Sequence, residues 1–215
     1  MIKLFKQKAW FLIPTLFVLS VSFFFILISN KSDIHLFLNK FHAPFFDRFF
    51  SIITYLGDGV VILIISFLIL FVSFRLSAYL ISTYAATGIF VQVLKHLFFN
   101  DVLRPAAHFK EMAELYLIEG IKLYHHHSFP SGHAASAFAM FLCFAFSTHK
   151  KYVHFICFLI ASITAYSRVY LSQHFLVDVF FGTIIGVTGA VGFYYVFYGR
   201  ERTWHKLSLL SLWQK

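Results

Sequence analysis

Three short stretches carry residue types that could do chemistry together. The first is Phe129-Pro130-Ser131-Gly132-His133, followed at once by an apolar run over 134–147. A turn of this kind opening a long apolar helix puts backbone N–H groups, a hydroxyl and an imidazole at one point. The helix start adds unpaired donors and the positive end of the peptide dipole, so the point suits an anion such as phosphate. Alone, the turn is ambiguous, because proline and serine are common at helix starts and His133 also fits a satisfied interfacial residue. The second stretch is Ser167-Arg168, then His174 and Asp178. His174 and Asp178 are four apart, so if both are helical they share one face and touch. A carboxylate beside an imidazole fixes its tautomer and raises its basicity, which prepares a histidine as nucleophile or base. The third is Lys95 with Arg104-Pro105. Lys95, Arg104 and Arg168 together can neutralise a phosphate without metal, since arginine offers a planar fork and lysine a point charge. A phosphate site, a nucleophile and a proton donor are the minimum for phosphoryl transfer.

The elements that must position these groups follow from composition. Of 215 residues, 60% are hydrophobic, 13% are charged and 31 are phenylalanine. A soluble domain is about half apolar and about a quarter charged. Too few polar residues remain to coat a globule, so the expected class is an all-α integral membrane protein forming one compact bundle. The formal charge of +9 does not indicate nucleic acid, because the basic residues are scattered between apolar spans rather than gathered in a stripe. Cys143 and Cys157 fall inside apolar spans and read as packing residues.

Six spans are expected, at about 10–29, 60–74, 78–99, 131–147, 152–171 and 174–198. The first follows a basic start without a convincing cleavage site, which favours an uncleaved helix over a signal peptide. A short amphipathic piece at 45–56 reads as interfacial, and Gly57-Asp58-Gly59 as a turn. The expected organisation is a basic N-terminus at 1–9, a transmembrane domain at 10–198 with one long hydrophilic loop at 100–130, and a basic tail at 199–215.

Six spans put both termini on one side. That side collects Lys3, Lys6, Lys8, Arg75, Lys150, Lys151, Arg200, Arg202, Lys206 and Lys215, ten residues against eight opposite. Long loops cross membranes with little regard to charge, and discounting Lys110 and Lys122 leaves ten against six. Both termini are therefore expected in the cytoplasm, with the long loop facing the periplasm or cell exterior. On this topology Lys95, Arg104, His133, Arg168, His174 and Asp178 all reach the same membrane face. Any one of them at a span end is ordinary snorkelling, but the convergent set is not.

At these residues the chain resembles the type-2 phosphatidic acid phosphatase superfamily, which also contains the vanadium haloperoxidases. Two family signatures stand intact, Pro130-Ser131-Gly132-His133 and Ser167-Arg168-x5-His174-x3-Asp178. The resemblance covers about 57–198. The first signature departs from the pattern: eight residues lie between Lys95 and Arg104, where the family usually has six. The two extra residues rotate Lys95 along its helix unless a bulge absorbs them.

The resemblance implies roles. His174 would form a phosphohistidine, oriented by Asp178, and His133 would protonate the leaving alkoxide and then activate water. Lys95, Arg104, Ser131, the Gly132 amide and Arg168 would bind the phosphate oxygens. No metal or other cofactor is implied, which argues against reading His125-His126-His127 as a metal site. The substrate expected at a membrane surface is a lipid phosphate whose tail stays in the bilayer. Family candidates are phosphatidate, phosphatidylglycerol phosphate, undecaprenyl diphosphate and the phosphates of lipid A, with residues 106–128 as a cap. The rivals are a phosphotransferase with a non-water acceptor, a small transporter with a cationic mouth, and a catalytically dead lipid-phosphate binder. The transporter is disfavoured by the scarcity of ionisable residues within the spans, the dead relative by the presence of His133, His174 and Asp178.

Overall fold

A computed structural model describes residues 8–213, and all regular structure among them is helical. The basic residues Lys3, Lys6 and Lys215 lie outside the described residues. In chain order the helices are α1 (Ala9–Ile28), α2 (Lys31–Leu38), α3 (Pro44–Ile53), α4 (Gly59–Leu70) and α5 (Phe74–Val93). Then come α6 (Pro105–His108), α7 (Gly132–Ser147), α8 (Lys151–Tyr170), α9 (Leu176–Tyr198) and α10 (Leu209–Trp213). A 3₁₀ turn, Thr54–Gly57, follows α3, and a π turn, Leu94–Phe98, continues α5.

Among the described residues, four helices are long and apolar enough to cross a membrane: α1, α5 with its π turn, α8 and α9. Before α5, two apolar helices follow one another across a sharp bend. Pro44–Gly57 and Gly59–Leu70 form a single apolar pair bent by 58°. The break falls at Asp58, which adopts an extended backbone and caps α4, its carboxylate accepting from the Val60 N–H at 2.8 Å. The 12 residues of α4 rise only about 18 Å, short of a bilayer core of about 30 Å.

At the centre lies α7, with a mere 16 residues and nearly every side chain from Ala134 to Phe146 buried. Its alanines (134, 135, 137, 139 and 145) let backbones approach closely, as helices packing without a hydrophobic drive require. The partner surface on α9 is built the same way. A Cβ on Gly182 would stand 2.4 Å from the Ser131 carbonyl oxygen, and one on Gly186 2.3 Å from that of Ala135. Side chains at either position would push α9 off the start of α7. α5 and α8 enclose the other faces of α7, while α1 packs on α8 and α9 with most of its surface outward.

Lys8, in the basic N-terminus, is buried. It is 2% exposed, and its Nζ donates to the carbonyls of Ala145 at 3.0 Å and Thr148 at 2.5 Å. It thereby satisfies orphan carbonyls at the C-terminal end of α7 and complements that end of the dipole. The 199–213 segment folds back on the α4–α5 break, where Phe74 N–H donates to Leu207 O at 3.0 Å.

Candidate active site

The three chemical stretches meet where α7 and α9 begin and where α5 and α8 end. Ser131 is the N-cap of α7; its Oγ accepts from Ala134 N–H at 3.4 Å, and its own N–H donates to the Asp178 carbonyl at 2.9 Å. That bond locks the start of α7 to the first turn of α9. Gly132 and His133 open α7, so their N–H groups are among the donors that the helix leaves unpaired.

Arg168 sits in the last turn of α8, 7% exposed. Its Nη1 donates to Thr54 Oγ1 at 2.7 Å, and its Nε has no protein partner. The carbonyl of Arg168 accepts from the N–H groups of Gln173 (2.9 Å) and His174 (3.0 Å), which curls the chain back after the helix. The curl passes through Ser172 with φ 51°, a left-handed conformation that costs a non-glycine residue of order 1 kcal/mol. Its hydroxyl is held by His35 Nε2 at 3.1 Å and Asn39 Nδ2 at 3.3 Å.

His174 lies outside α9 rather than within its first turn. Its contact with Asp178 therefore does not come from a shared helical face. Phe175 is the N-cap, and the Asp178 carboxylate reaches back to accept the Phe175 N–H at 2.9 Å. In that position its Oδ2 also meets His174 Nδ1 at 3.4 Å. The pairing assigns the proton to Nδ1 and leaves Nε2 as the free lone pair. Burial first, then the fields of Arg104, Lys95, Arg168 and His133, push the His174 imidazole well below the ordinary histidine range. It is a neutral base at neutral pH.

Lys95 lies in the π turn, where Phe99 N–H donates to Leu94 O at 3.0 Å across one extra residue. Such a bulge is the device that absorbs an inserted residue in a helix. It leaves Lys95 7% exposed and within electrostatic reach of Arg104, Asp178 and Arg168. Arg104 caps α6 and is braced on three sides. Its Nη1 donates to Gln173 O at 3.2 Å and Gln173 Oε1 at 3.4 Å, its Nε donates to His126 O at 3.0 Å, and Tyr124 lies under the guanidinium at 5.2 Å. His133 completes the set within electrostatic reach of Arg168, Arg104 and Lys95. The structure thus gathers Lys95, Arg104, Ser131, Gly132, His133, Arg168, His174 and Asp178 at one end of the bundle.

Three neighbours of these residues carry no sequence signal of their own. Thr54 falls in the piece read as interfacial and yet anchors Arg168. Gln173 carries Arg104 on its side chain and carbonyl, and its Nε2 donates to Lys122 O at 3.1 Å. Ser128 contacts Asp178. The His125-His126-His127 triplet does not converge: His127 Nε2 meets Asn100 Oδ1 at 2.7 Å and its ring packs on His96. Among the described residues no three His, Cys, Asp or Glu side chains are arranged to hold a metal ion.

The sequence profile of the PAP2 superfamily matches residues 76–202, more than half of the chain. The chain belongs to this superfamily. It is 29% identical over 166 residues to the lipid A 4'-phosphatase of Bacteroides thetaiotaomicron, covering 75% of this chain and 74% of that one. It is 39% identical over 69 residues to phosphatidylglycerophosphatase B of Bacillus subtilis, but this match spans only 34% of that protein. Among solved structures, LpxE of Aquifex aeolicus superposes with a TM-score of 0.66 at 28% identity, over 75% of this chain and 92% of that one. A transmembrane PAP2-type phosphatidylglycerolphosphate phosphatase from Bacillus subtilis superposes with a TM-score of 0.67 over 93% of this chain and 99% of that one. At 23% identity this second likeness speaks for the fold. The matched PAP2 region includes every residue of the site described above, from Lys95 to Asp178.

Proposed function

We propose that this PAP2 chain is an integral-membrane, metal-independent phosphatase that hydrolyses a phosphomonoester or diphosphate on a lipid. Superfamily membership and the phosphatase relatives support the reaction class. One observation carries the mechanism: a buried, neutral His174 held at Nδ1 by Asp178, amid three cationic side chains and a helix start.

In the first half-reaction Nε2 of His174 attacks phosphorus and the bond from phosphorus to the lipid oxygen breaks. His133 gives its proton to that oxygen, so a phosphomonoester leaves as the lipid alcohol, a diphosphate leaves as the lipid monophosphate, and a phosphohistidine remains. In the second, His133 takes a proton from water, the resulting hydroxide attacks phosphorus, and the P–N bond breaks to release inorganic phosphate. Lys95, Arg104, Arg168, Ser131 and the Gly132 amide neutralise the phosphoryl oxygens as charge builds in the transition state.

Hydrolysis of phosphatidate, phosphatidylglycerol phosphate, undecaprenyl diphosphate and lipid A by purified protein in detergent tests this reading. Release of phosphate from at least one of them, unchanged by EDTA, is expected. Loss of activity on chelation overturns the metal-free route, and inertness toward all of them and toward a soluble aryl phosphate overturns the phosphatase.

The same reading places six spans in the cytoplasmic membrane, with α4 and α7 crossing as short helices and α3 lying at the interface. Residues 100–130 then cap the site from the periplasmic or outer side. The cap is tied down where Tyr116 N–H donates to Asn39 Oδ1 at 2.7 Å and Tyr116 OH to Asp47 Oδ2 at 2.9 Å. The hydrogen bonds of Lys8 put the start of α1 level with the end of α7, opposite the site. A reporter fused after Lys215 should therefore read cytoplasmic, and an outward signal would invert this topology.

A further inference from the structure

Asp178 Oδ2 is an acceptor for three donors, and the nearest is not the histidine. Ser128 Oγ donates to it at 2.5 Å, Phe175 N–H at 2.9 Å and His174 Nδ1 at 3.4 Å. We propose that Ser128 is a positioning residue for phosphoryl transfer, acting through Asp178 to aim the imidazole of His174. The inference rests on the phosphohistidine reading above.

A hydroxyl donating to a carboxylate is charge-assisted and stronger than a neutral hydrogen bond. Ser128 is 0% exposed, so water does not compete for that bond. Its backbone is held independently, with its N–H donating to Val102 O at 3.0 Å. Val102 lies two residues before Arg104, so one short piece of the outer loop fixes both the serine and a phosphate-binding arginine. The Phe175 N–H constrains Oδ2 from the α9 side alone. The serine hydroxyl adds a second, shorter bond to the same oxygen, which opposes rotation of the carboxylate and holds the oxygen that faces Nδ1 in place. Without it the carboxylate can rotate about its terminal torsion, which is broad and soft, and the nucleophile loses its aim. Outer partners of this kind act on the rate by orienting the reacting group; around metal-bound histidines the loss of such a partner costs about 10- to 100-fold, and a similar scale is expected here.

The test is steady-state kinetics on a lipid phosphate and on a soluble aryl phosphate for Ser128→Ala, Ser128→Thr and Ser128→Cys, with unfolding midpoints in detergent. For Ser128→Ala, kcat is expected to fall at least about tenfold with KM within twofold of wild type, because the phosphate-binding residues are untouched. Ser128→Thr keeps the hydroxyl and is expected to recover most of kcat. Ser128→Cys, with a weak S–H donor, should fall between. A Ser128→Ala enzyme within twofold of wild-type kcat overturns the inference, as does a loss carried in KM or a threonine variant as slow as alanine. If Ser128→Ala does not survive purification, Ser128→Cys decides: less than half of the wild-type kcat supports the role and an unchanged kcat overturns it. Wild type inert on every substrate would instead remove the phosphatase reading itself, so the two failures are distinct.

Discussion

The His174→Ala variant is expected to release phosphate at a rate lower than wild type by a factor of about 10⁴ or more, the scale seen when a covalent nucleophile is removed. The physical basis is that no neighbour can substitute. Nε2 of His174 is the lone pair left free once Nδ1 is engaged by Asp178 at 3.4 Å. Burial and three surrounding cations keep that lone pair unprotonated. KM should change little, since Lys95, Arg104, Arg168 and the α7 start still hold the phosphate. Rapid acid-free quenching of wild type with a labelled substrate should trap label on the protein in an alkali-stable, acid-labile bond, as a phosphoramidate requires. Label on the variant, or retention of more than a few per cent of the rate, would remove His174 from the nucleophile's role.

For His133→Ala the size of the loss depends on the leaving group. A lipid alkoxide needs a proton as it departs, and losing a positioned acid costs about 10²- to 10⁴-fold. Nitrophenolate leaves without one, so nitrophenyl phosphate should still phosphorylate His174. Water then lacks its base, and the phosphoenzyme should accumulate. Stopped-flow absorbance is expected to show a burst of nitrophenol equal to the enzyme present, followed by slow turnover. Steady release at the wild-type rate, or equal losses on the lipid and the aryl ester with no burst, would assign the proton transfer to another group. The variant is expected to fold, because the His133 atoms nearest Gly57 are its carbonyl and its Cβ, all of which alanine keeps.

Both experiments depend on contacts of very different sequence range, and legibility followed that range. The end of α8, the link and the start of α9 lie within a dozen residues, so the approach of His174 to Asp178 could be read from spacing. The means could not: Asp178 turns back to cap Phe175 while His174 stays outside the helix. Spacing alone also left Lys95 rotated relative to Arg104. The π turn at Leu94–Phe98 absorbs one of the two extra residues, and it is a feature of hydrogen-bond register that residue types do not announce.

What the chain by itself determined is the class and the chemistry. An excess of apolar residues with scattered basic ones forces helices in a bilayer, where every backbone group must be bonded within its own segment. Pro130-Ser131-Gly132-His133 and Ser167-Arg168-x5-His174-x3-Asp178 encode their geometry locally, through a cap and a tight link. Only the tertiary structure decided which distant groups serve those stretches. Thr54 comes to Arg168 across a bent helix pair, Ser128 to Asp178 from the end of a long loop, and Lys8 to the end of α7. Each of these depends on how helices are rotated and how closely they pack, which here turns on the small residues between α7 and α9. Such contacts are set by the whole bundle at once and by no short stretch of it.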